Sequence, residues 1–333
     1  MFGYFRFFLA TLVVISHLGI TFEGANPGVA AVVCFYMLAG FVVSHLFLKV
    51  FISQKPLYLR FYYERALRIF PLYLFVAAIT LIFIIVTGFG SAEFGIKTLV
   101  NNLLIIPLNY YMVLDNAILQ DPKWWLIPPA WSLGVELQAY LLLPFIVYFK
   151  GVKIVLAVIS LTVFSMASLG VIDSDYFGYR LLIGVLFLFI LGVSISKSIA
   201  DANKADLFDR YFPAFVYAYL ILLLIISGLY ETLHYPYVRE TIFGVLLGMP
   251  TIIYLSKSKV TLPLNSLLGE FSYGIFLSHF LMIWIVEFYS LVDKSTHIFL
   301  YVLLIFLASL LLSIVGVFML ERSVKKYRIL LGR

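Results

Sequence analysis

The sequence predicts an all-α, polytopic membrane protein of about ten transmembrane helices, with both termini in the cytoplasm. Its 333 residues are 63% hydrophobic and only 12% charged, whereas a soluble domain carries about 25% charged residues. Apolar runs of spanning length recur along the chain, and they form helices because lipid offers the backbone no hydrogen-bond partners. The net charge of +6 therefore reports orientation and is no sign of a nucleic-acid partner.

Ten apolar runs account for the predicted spans. They lie near 7–22, 28–48, 69–88, 129–149, 154–172, 179–196, 211–230, 241–256, 265–289 and 298–320. The first run is predicted to be retained, because no small-x-small cleavage site of a signal peptide follows it. The whole chain, 1–333, is predicted to be one membrane domain without an internal repeat.

A further run, 98–114, contains asparagines and a proline, and the distribution of basic residues decides its interpretation. If this run does not cross the membrane, 18 of the 23 Lys and Arg lie on the inner side and five on the outer side. If it crosses, every later loop changes side and the numbers become 10 and 13. Because basic residues concentrate on the cytoplasmic side, residues 89–128 are predicted to form an outer segment, with "DPKWWLIPP" as an interfacial aromatic anchor.

Two ionisable residues stand in the first span, "RFFLATLVVISHL". In a helix Arg6 and His17 share one face, because eleven residues turn it about 20° past three turns, and they lie about 16 Å apart. With Arg6 at the inner headgroups, His17 is predicted to lie near mid-membrane or just beyond. An imidazole there suits a general base, but a hydrogen bond to a neighbouring helix explains it equally well.

Arginines cluster at the inner end of the third span, in "RFYYERALRIFP". Arg65 and Arg68 are three residues apart and project from one side of a helix, with Arg60 nearby. A planar guanidinium suits phosphate oxygens, so the cluster is a candidate site for a phosphorylated cytoplasmic cofactor. Anchoring to lipid headgroups is the simpler explanation, and this stretch alone favours it.

A carboxylate lies about two turns into the fourth span, in "PPAWSLGVELQAYLLLP". Glu136 shares a helix face with Ser132, four residues earlier, and Trp131 lies beside that serine. A carboxylate inside the membrane needs a partner. This stretch therefore predicts either a buried ion pair or a functional role for Glu136, such as orienting a histidine or binding an acceptor hydroxyl.

A second deep histidine lies in the ninth span, in "EFSYGIFLSHF". His279 is seven residues from Ser272, so the two share a helix face, and Tyr273 is adjacent. Function and packing explain this stretch equally well.

A metal site is not predicted. Cys34 is the single cysteine, which excludes an internal disulfide and a multi-cysteine metal site. Walker-type, GxSxG and HExxH motifs do not occur in the sequence.

Together, these stretches resemble the acyltransferase family 3 membrane proteins, which O-acylate bacterial polysaccharides and other extracytoplasmic acceptors. The family's motifs occur in order over nearly the whole chain: Arg6 and His17; "FYMLAGF" (35–41); Arg65 and Arg68; Trp131, Ser132, Leu133 and Glu136; and Ser272, Tyr273, Phe276, Leu277 and His279. Each motif is weak alone, but five in this order are specific. The chain departs from the pattern at Ala39, where serine is usual, at Phe276, where tyrosine is usual, and in lacking the "LRG" lead-in.

The resemblance implies an enzyme of the bacterial cytoplasmic membrane. It would move an acyl group, with acetyl-CoA as the expected donor, to a hydroxyl of an extracytoplasmic glycan, lipid-linked sugar or exopolysaccharide. His17 would be the general base or carry the acyl group, and Glu136 and His279 are the other predicted catalytic residues. The predicted binding residues are Arg6, Arg60, Arg65 and Arg68 for CoA, and Trp131, Ser132, Ser272 and Tyr273 for the substrate.

Two other classes of protein remain open. Composition and span number suit a transporter or flippase of a lipid-linked sugar equally well, with the buried His and Glu as proton-relay groups. Against it, the sequence contains no inverted repeat and no matching pair of Gly/Pro-broken helices. An accessory protein of an envelope assembly complex is the third class.

Overall fold

The structure is a computed structural model that describes residues 1–47, 57–200, 205–321, 324 and 327. Its helices are α1 (Phe2–His17), α2 (Pro27–Leu46), α3 (Leu57–Thr87), α4 (Ile96–Leu104), α5 (Ala130–Tyr148), α6 (Lys150–Ser168), α7 (Leu182–Ala200), α8 (Leu207–Leu229), α9 (Val238–Lys257), α10 (Asn265–Phe288) and α11 (Ile298–Gly316). Strands β1 (Leu119–Gln120) and β2 (Lys123–Trp124) form an antiparallel hairpin. Short 3-10 or π turns lie at Ile106–Tyr110, Tyr176–Arg180, Thr232–His234 and Val317–Glu321.

Nine helical segments within the described ranges are long and apolar enough to cross a membrane. They are Pro27–Leu46, Tyr58–Thr87, Ala130–Tyr148, Lys150–Ser168, Tyr176–Ala200, Leu207–Leu229, Val238–Lys257, Asn265–Phe288 and Ile298–Leu320. The prediction of an all-α polytopic membrane protein is confirmed. The orientation of the termini stays a prediction, and eight of the basic residues behind it lie outside the described residues: Lys49, Lys55, Lys204, Arg322, Lys325, Lys326, Arg328 and Arg333.

The first helix differs from its predicted bounds of 7–22. It begins at Phe2 and ends at His17, so its 16 residues make it shorter than the nine spanning segments. Gly19 stops it, because this residue has a φ of 82°, a left-handed conformation that glycine adopts without a steric penalty. The chain then turns, and Asn26 caps α2 by accepting a hydrogen bond from the Gly28 amide at 2.9 Å.

The run 98–114 contains no spanning helix. It forms the nine-residue α4 and the 3-10 turn that follows it. Two buried asparagines hold the segment 89–128 together: the Asn102 amide donates to the Asn116 carbonyl at 2.9 Å, and the Asn116 amide donates to the Pro107 carbonyl at 2.8 Å. The Tyr73 hydroxyl ties the segment to α3 by donating to the Asn102 carbonyl at 2.6 Å. Of these two asparagines, Asn102 belongs to the run 98–114 itself, where it orders the segment in which no spanning helix forms.

The chain packs into two compact units. Unit 1 comprises Met1, Ile20–Tyr62 and Val135–Thr261, and unit 2 comprises Phe2–Gly19, Tyr63–Gly134 and Leu262–Arg333. Helix α7 is the centre of unit 1 and packs against α2, α6, α8 and α9. The approach of α2 to α7 requires glycine, because a Cβ atom on Gly40 or on Gly192 would lie 2.0 Å from a backbone oxygen of the other helix.

A buried ion cluster lies in unit 1. Lys153 and Asp209 are each 1% exposed, and the lysine Nζ lies 2.6 Å from the Asp209 carboxylate and 3.1 Å from that of Asp206. The Ser194 hydroxyl donates to Asp209 at 2.9 Å. Burial opposes the ionisation of Asp206, but hydrogen bonds from the Asp209 amide and from Lys153 outweigh it, so the pKa of Asp206 lies below its usual value. The cluster ties α6 to the start of α8.

Replacing Asp209 with alanine is expected to lower the free energy of unfolding by about 3 kcal/mol, because it leaves Lys153 buried with less compensation. Thermal unfolding of the purified protein in detergent measures the loss. The matched control is Asp115→Ala, which removes an ion pair whose side chains are 59% and 67% exposed and should cost less than about 1 kcal/mol. Equal effects of the two substitutions would show that the buried cluster does not stabilise unit 1.

In unit 2, α1 and α10 run parallel and in register. The Gly3 amide donates to the Asn265 side chain at 2.9 Å, and His17 contacts His279; both pairs are 262 positions apart. Glycine is needed at position 3, because a Cβ there would lie 1.6 Å from the Asn265 carbonyl oxygen. This contact sets which residues of the two helices face each other.

Candidate active site

Two histidines meet within unit 2. The Nε2 atom of His279 lies 3.0 Å from Nδ1 of His17, and the two rings are nearly parallel, with centroids 5.0 Å apart. His279 is fully buried, whereas His17 is exposed. The structure thus brings together the two histidines that the sequence placed in separate spans, and one of them is accessible to a ligand.

The hydrogen bonds of His279 determine the arrangement of protons. Its Nδ1 atom lies 3.1 Å from the Ile275 carbonyl, which can only accept, so Nδ1 carries a proton. An uncompensated charge on a fully buried ring would be costly, so we assign the neutral form, in which Nε2 accepts. His17 must then donate from Nδ1. This assignment leaves the lone pair of His17 on Nε2, as a general base requires.

The depth of His17 follows from its register with α10. Although His17 is the last residue of α1, α10 continues nine residues beyond His279 to Phe288, a rise of about 13 Å. The fourteen residues that precede His279 in α10 rise about 21 Å. His17 therefore lies well inside the length of a helix that can cross the membrane.

Aromatic rings surround the exposed histidine. Phe280 packs its ring against His17 with centroids 4.9 Å apart, and it also contacts Trp124 at 5.7 Å and Trp284 at 6.0 Å. The sequence analysis did not single out Phe280 and interpreted the "DPKWW" stretch as an anchor. The sequence feature that could have indicated this aromatic cluster is the pair of tryptophans in a segment that does not span the membrane.

The two arginines of the R-x-x-R motif differ in their surroundings. Arg65 and its neighbour Glu64 are both buried and form an ion pair. Arg68 is half-buried and lies over the ring of Tyr273, 5.7 Å from its centroid. The Tyr273 hydroxyl donates to the Ile69 carbonyl at 3.0 Å, which fixes the ring beneath the guanidinium. Arg68 is therefore the more accessible of the two cations.

The serines of the other two motifs each donate their hydroxyl to a backbone carbonyl three residues earlier in the chain. Ser132 donates to the Pro129 carbonyl at 3.0 Å, and Ser272 donates to the Gly269 carbonyl at 2.9 Å. Both serines are buried, as is Trp131, which is 9% exposed. Their contacts with a substrate stay predictions.

The remaining predicted residues lie on other parts of the chain. Arg6 is half-buried on α1, eleven residues before His17. Arg60 and Glu136 belong to unit 1, where Glu136 accepts a hydrogen bond from the Tyr140 hydroxyl. Tyr36, also in unit 1, is buried, and its hydroxyl has no hydrogen-bond partner among the residues described. Glu136 thus lies in a polar region of unit 1, and its catalytic role stays a prediction.

The candidate site is thus a pair of histidines within a helical membrane protein. Nowhere in the described ranges do three or more His, Cys, Asp or Glu side chains come together as metal ligands. The chain matches the model of the acyltransferase domain family Acyl_transf_3 over residues 2–318. It belongs to this family and is a membrane acyltransferase.

The chain is also similar to an uncharacterized protein of Aquifex aeolicus (strain VF5). The two are 39% identical over 230 residues, which is 67% of this chain and 100% of the relative. No solved structure matches the chain.

Proposed function

We propose that this protein transfers an acetyl group from cytoplasmic acetyl-CoA to a hydroxyl of an extracytoplasmic glycan or lipid-linked sugar, in the bacterial cytoplasmic membrane. The observation that carries the proposal is the His17–His279 pair, in which the exposed residue His17 has Nε2 as its basic atom. A donor on one side and an acceptor on the other require a centre within the membrane, and the depth of His17 along α10 meets that requirement.

The first of two possible routes is a direct acyl transfer. Nε2 of His17 takes the proton of the acceptor hydroxyl while its oxygen attacks the thioester carbonyl. The tetrahedral intermediate collapses and breaks the carbon–sulfur bond, and the CoA thiolate takes the proton from His17 as it leaves. Both nitrogens of His279 are engaged, so its role is to hold the His17 ring and to stabilise the imidazolium, and it is a positioning residue.

An acyl-histidine route uses the same atom. Nε2 of His17 would attack the thioester, release CoA and pass the acetyl group to the hydroxyl in a second step. The two routes differ in one observable, because only the second releases one equivalent of CoA in the absence of an acceptor. Rapid mixing of the purified protein with acetyl-CoA alone distinguishes them.

On the donor side, we assign the CoA phosphates to Arg68. A guanidinium that packs over a ring keeps its full charge, and its planar N–H edge matches phosphate oxygens. The pairing of Arg65 with Glu64 inside the protein makes Arg65 the residue that holds this part of α3, with Arg6 and Arg60 as further candidates for the donor.

Arg68→Ala is expected to raise the KM for acetyl-CoA about tenfold or more while the protein stays folded, because a hydrogen bond to a charged group contributes about 1.5–3 kcal/mol. Arg65→Ala should instead reduce the yield of folded protein, since it leaves Glu64 buried without its cation. Initial rates of CoA release measure the first effect, and size-exclusion chromatography measures the second. The control is Lys259→Ala, at an exposed basic residue; the same KM in all three variants would remove the arginines from the donor site.

A transfer assay tests the function itself. Purified protein in lipid nanodiscs receives acetyl-CoA and a sugar acceptor, and mass spectrometry follows the acetylated product while a thiol reagent follows free CoA. We expect the two products to appear in equal amounts. A transporter or an accessory protein would release no CoA, and that result would reject the proposal.

A further inference from the structure

Trp124 occupies the last position of β2, next to the histidine pair. Its ring centroid lies 5.7 Å from that of Phe280, and Phe280 contacts the His17 ring at 4.9 Å. Trp124 is therefore two ring contacts from the basic imidazole. All three residues belong to unit 2.

The backbone on both sides of Trp124 is fixed. The Trp124 carbonyl accepts from the Ile118 amide at 2.9 Å, and the Gln120 amide donates to the Gly90 carbonyl at 2.8 Å. Two residues further on, the Leu126 amide donates to the side chain of Asn102 at 2.9 Å. Because the hairpin is bonded at each end, Trp124 is held in place before any ligand binds.

The neighbouring residue, Trp125, has a structural role. Trp125 is 7% exposed, its N–H donates to the Pro128 carbonyl at 3.0 Å, and its ring packs on Tyr111. Trp124 is half-exposed, and its indole N–H makes no hydrogen bond within the described part of the chain. Trp124 therefore presents a rigid, accessible ring and an indole N–H donor beside the histidine pair. Such a side chain can bind a ligand that has both an apolar face and hydroxyl groups.

We propose that Trp124, together with Phe280, forms the acceptor subsite and binds the sugar ring that carries the hydroxyl to be acylated. One face of a sugar ring consists of C–H groups, which pack against aromatic rings, and its hydroxyls can accept from the indole N–H. A ring stacked on Trp124 directs an equatorial hydroxyl along Phe280 toward Nε2 of His17. This inference rests on the proposed function, and it identifies the acceptor class as a ring-shaped sugar.

The experiment compares two acceptors that differ in the ring alone. Protein in lipid nanodiscs receives acetyl-CoA with either octyl glucoside, below its micellar concentration, or 1-O-octylglycerol, which has hydroxyls and the same tail but no ring. The quantity measured is the ratio of kcat/KM for the two acceptors. In Trp124→Ala this ratio should fall about two- to twelvefold, because an aromatic contact contributes about 0.5–1.5 kcal/mol, and Trp124→Phe should restore most of it. Phe94→Ala, at an exposed aromatic residue of the same outer segment, is the control.

The outcomes separate this inference from the proposed function. An unchanged ratio in Trp124→Ala, or an equal loss with both acceptors, would overturn the subsite and leave the transferase intact. Equal acetylation of both acceptors by the wild-type protein would also overturn it. Absence of transfer by the wild-type protein would overturn the function and the subsite together, because the subsite is defined by its place beside a transferring centre.

Discussion

His17→Ala is expected to reduce the rate of acetyl transfer about 10²–10⁴-fold, the range that a positioned general base contributes. The substitution removes Nε2 of His17, the atom that the hydrogen-bond chain from Ile275 through His279 assigns as the base. The KM for acetyl-CoA should change little, since the assigned donor phosphates contact Arg68. Initial rates of CoA release at saturating acetyl-CoA and acceptor measure the effect.

The control for this substitution is His234→Ala. His234 is an exposed histidine of unit 1, and its loss should leave the rate at the wild-type level. Because His17 is exposed, its alanine variant should also retain the wild-type Tm, which separates a chemical loss from a folding loss. A folded His17→Ala protein with the wild-type rate would show that another group takes the proton.

Replacing His279 is expected to have the second-largest effect, a fall in kcat of about 10–100-fold, which is typical when a residue that orients a reactive imidazole is removed. His279→Leu cannot accept from Nδ1–H of His17, so the ring is free to rotate and to exchange tautomers. His279→Gln offers an amide oxygen as the acceptor and should recover a large part of the rate. Steady-state kinetics with acetyl-CoA as the varied substrate measure kcat and KM separately.

The comparison of these two variants distinguishes positioning from packing. If His279 only fills space, leucine and glutamine should lower kcat in proportion to their loss of Tm. If it orients His17, glutamine should exceed leucine in kcat at equal Tm, with KM for acetyl-CoA near the wild-type value in both. Equal kcat in the two variants would remove the positioning role.

The membrane class and the spans could be predicted from the sequence because they depend on local properties. An apolar run in lipid has to be helical whatever surrounds it. The residues of 98–114 left that run ambiguous, and the distribution of basic residues predicted that it does not span. The predicted helix bounds differ from the structure at α1. This helix ends at His17, before Gly19 and five residues before the apolar run ends. The left-handed conformation of Gly19 stops the helix there, although the apolar residues continue beyond it.

The motif residues could be identified from the sequence, but not what each of them contacts. Arg65 and Arg68 look alike in an i, i+3 pattern, yet one is buried against Glu64 and the other lies on Tyr273. Trp124 and Trp125 are adjacent, yet one supports the loop and the other is accessible beside Phe280. These differences depend on which distant part of the chain packs on each side chain. The residues next to it in the sequence do not specify that contact.

The sequence by itself determined that this is a helical membrane protein with histidines inside its apolar helices and arginines near helix ends. Those properties follow from composition, periodicity and the cost of placing charge in lipid. Only the tertiary structure decided that His17 and His279 form one pair. Residues 262 positions apart meet because Gly3 lets α1 approach α10 at Asn265, and that close contact sets the register in which the second histidine holds the first.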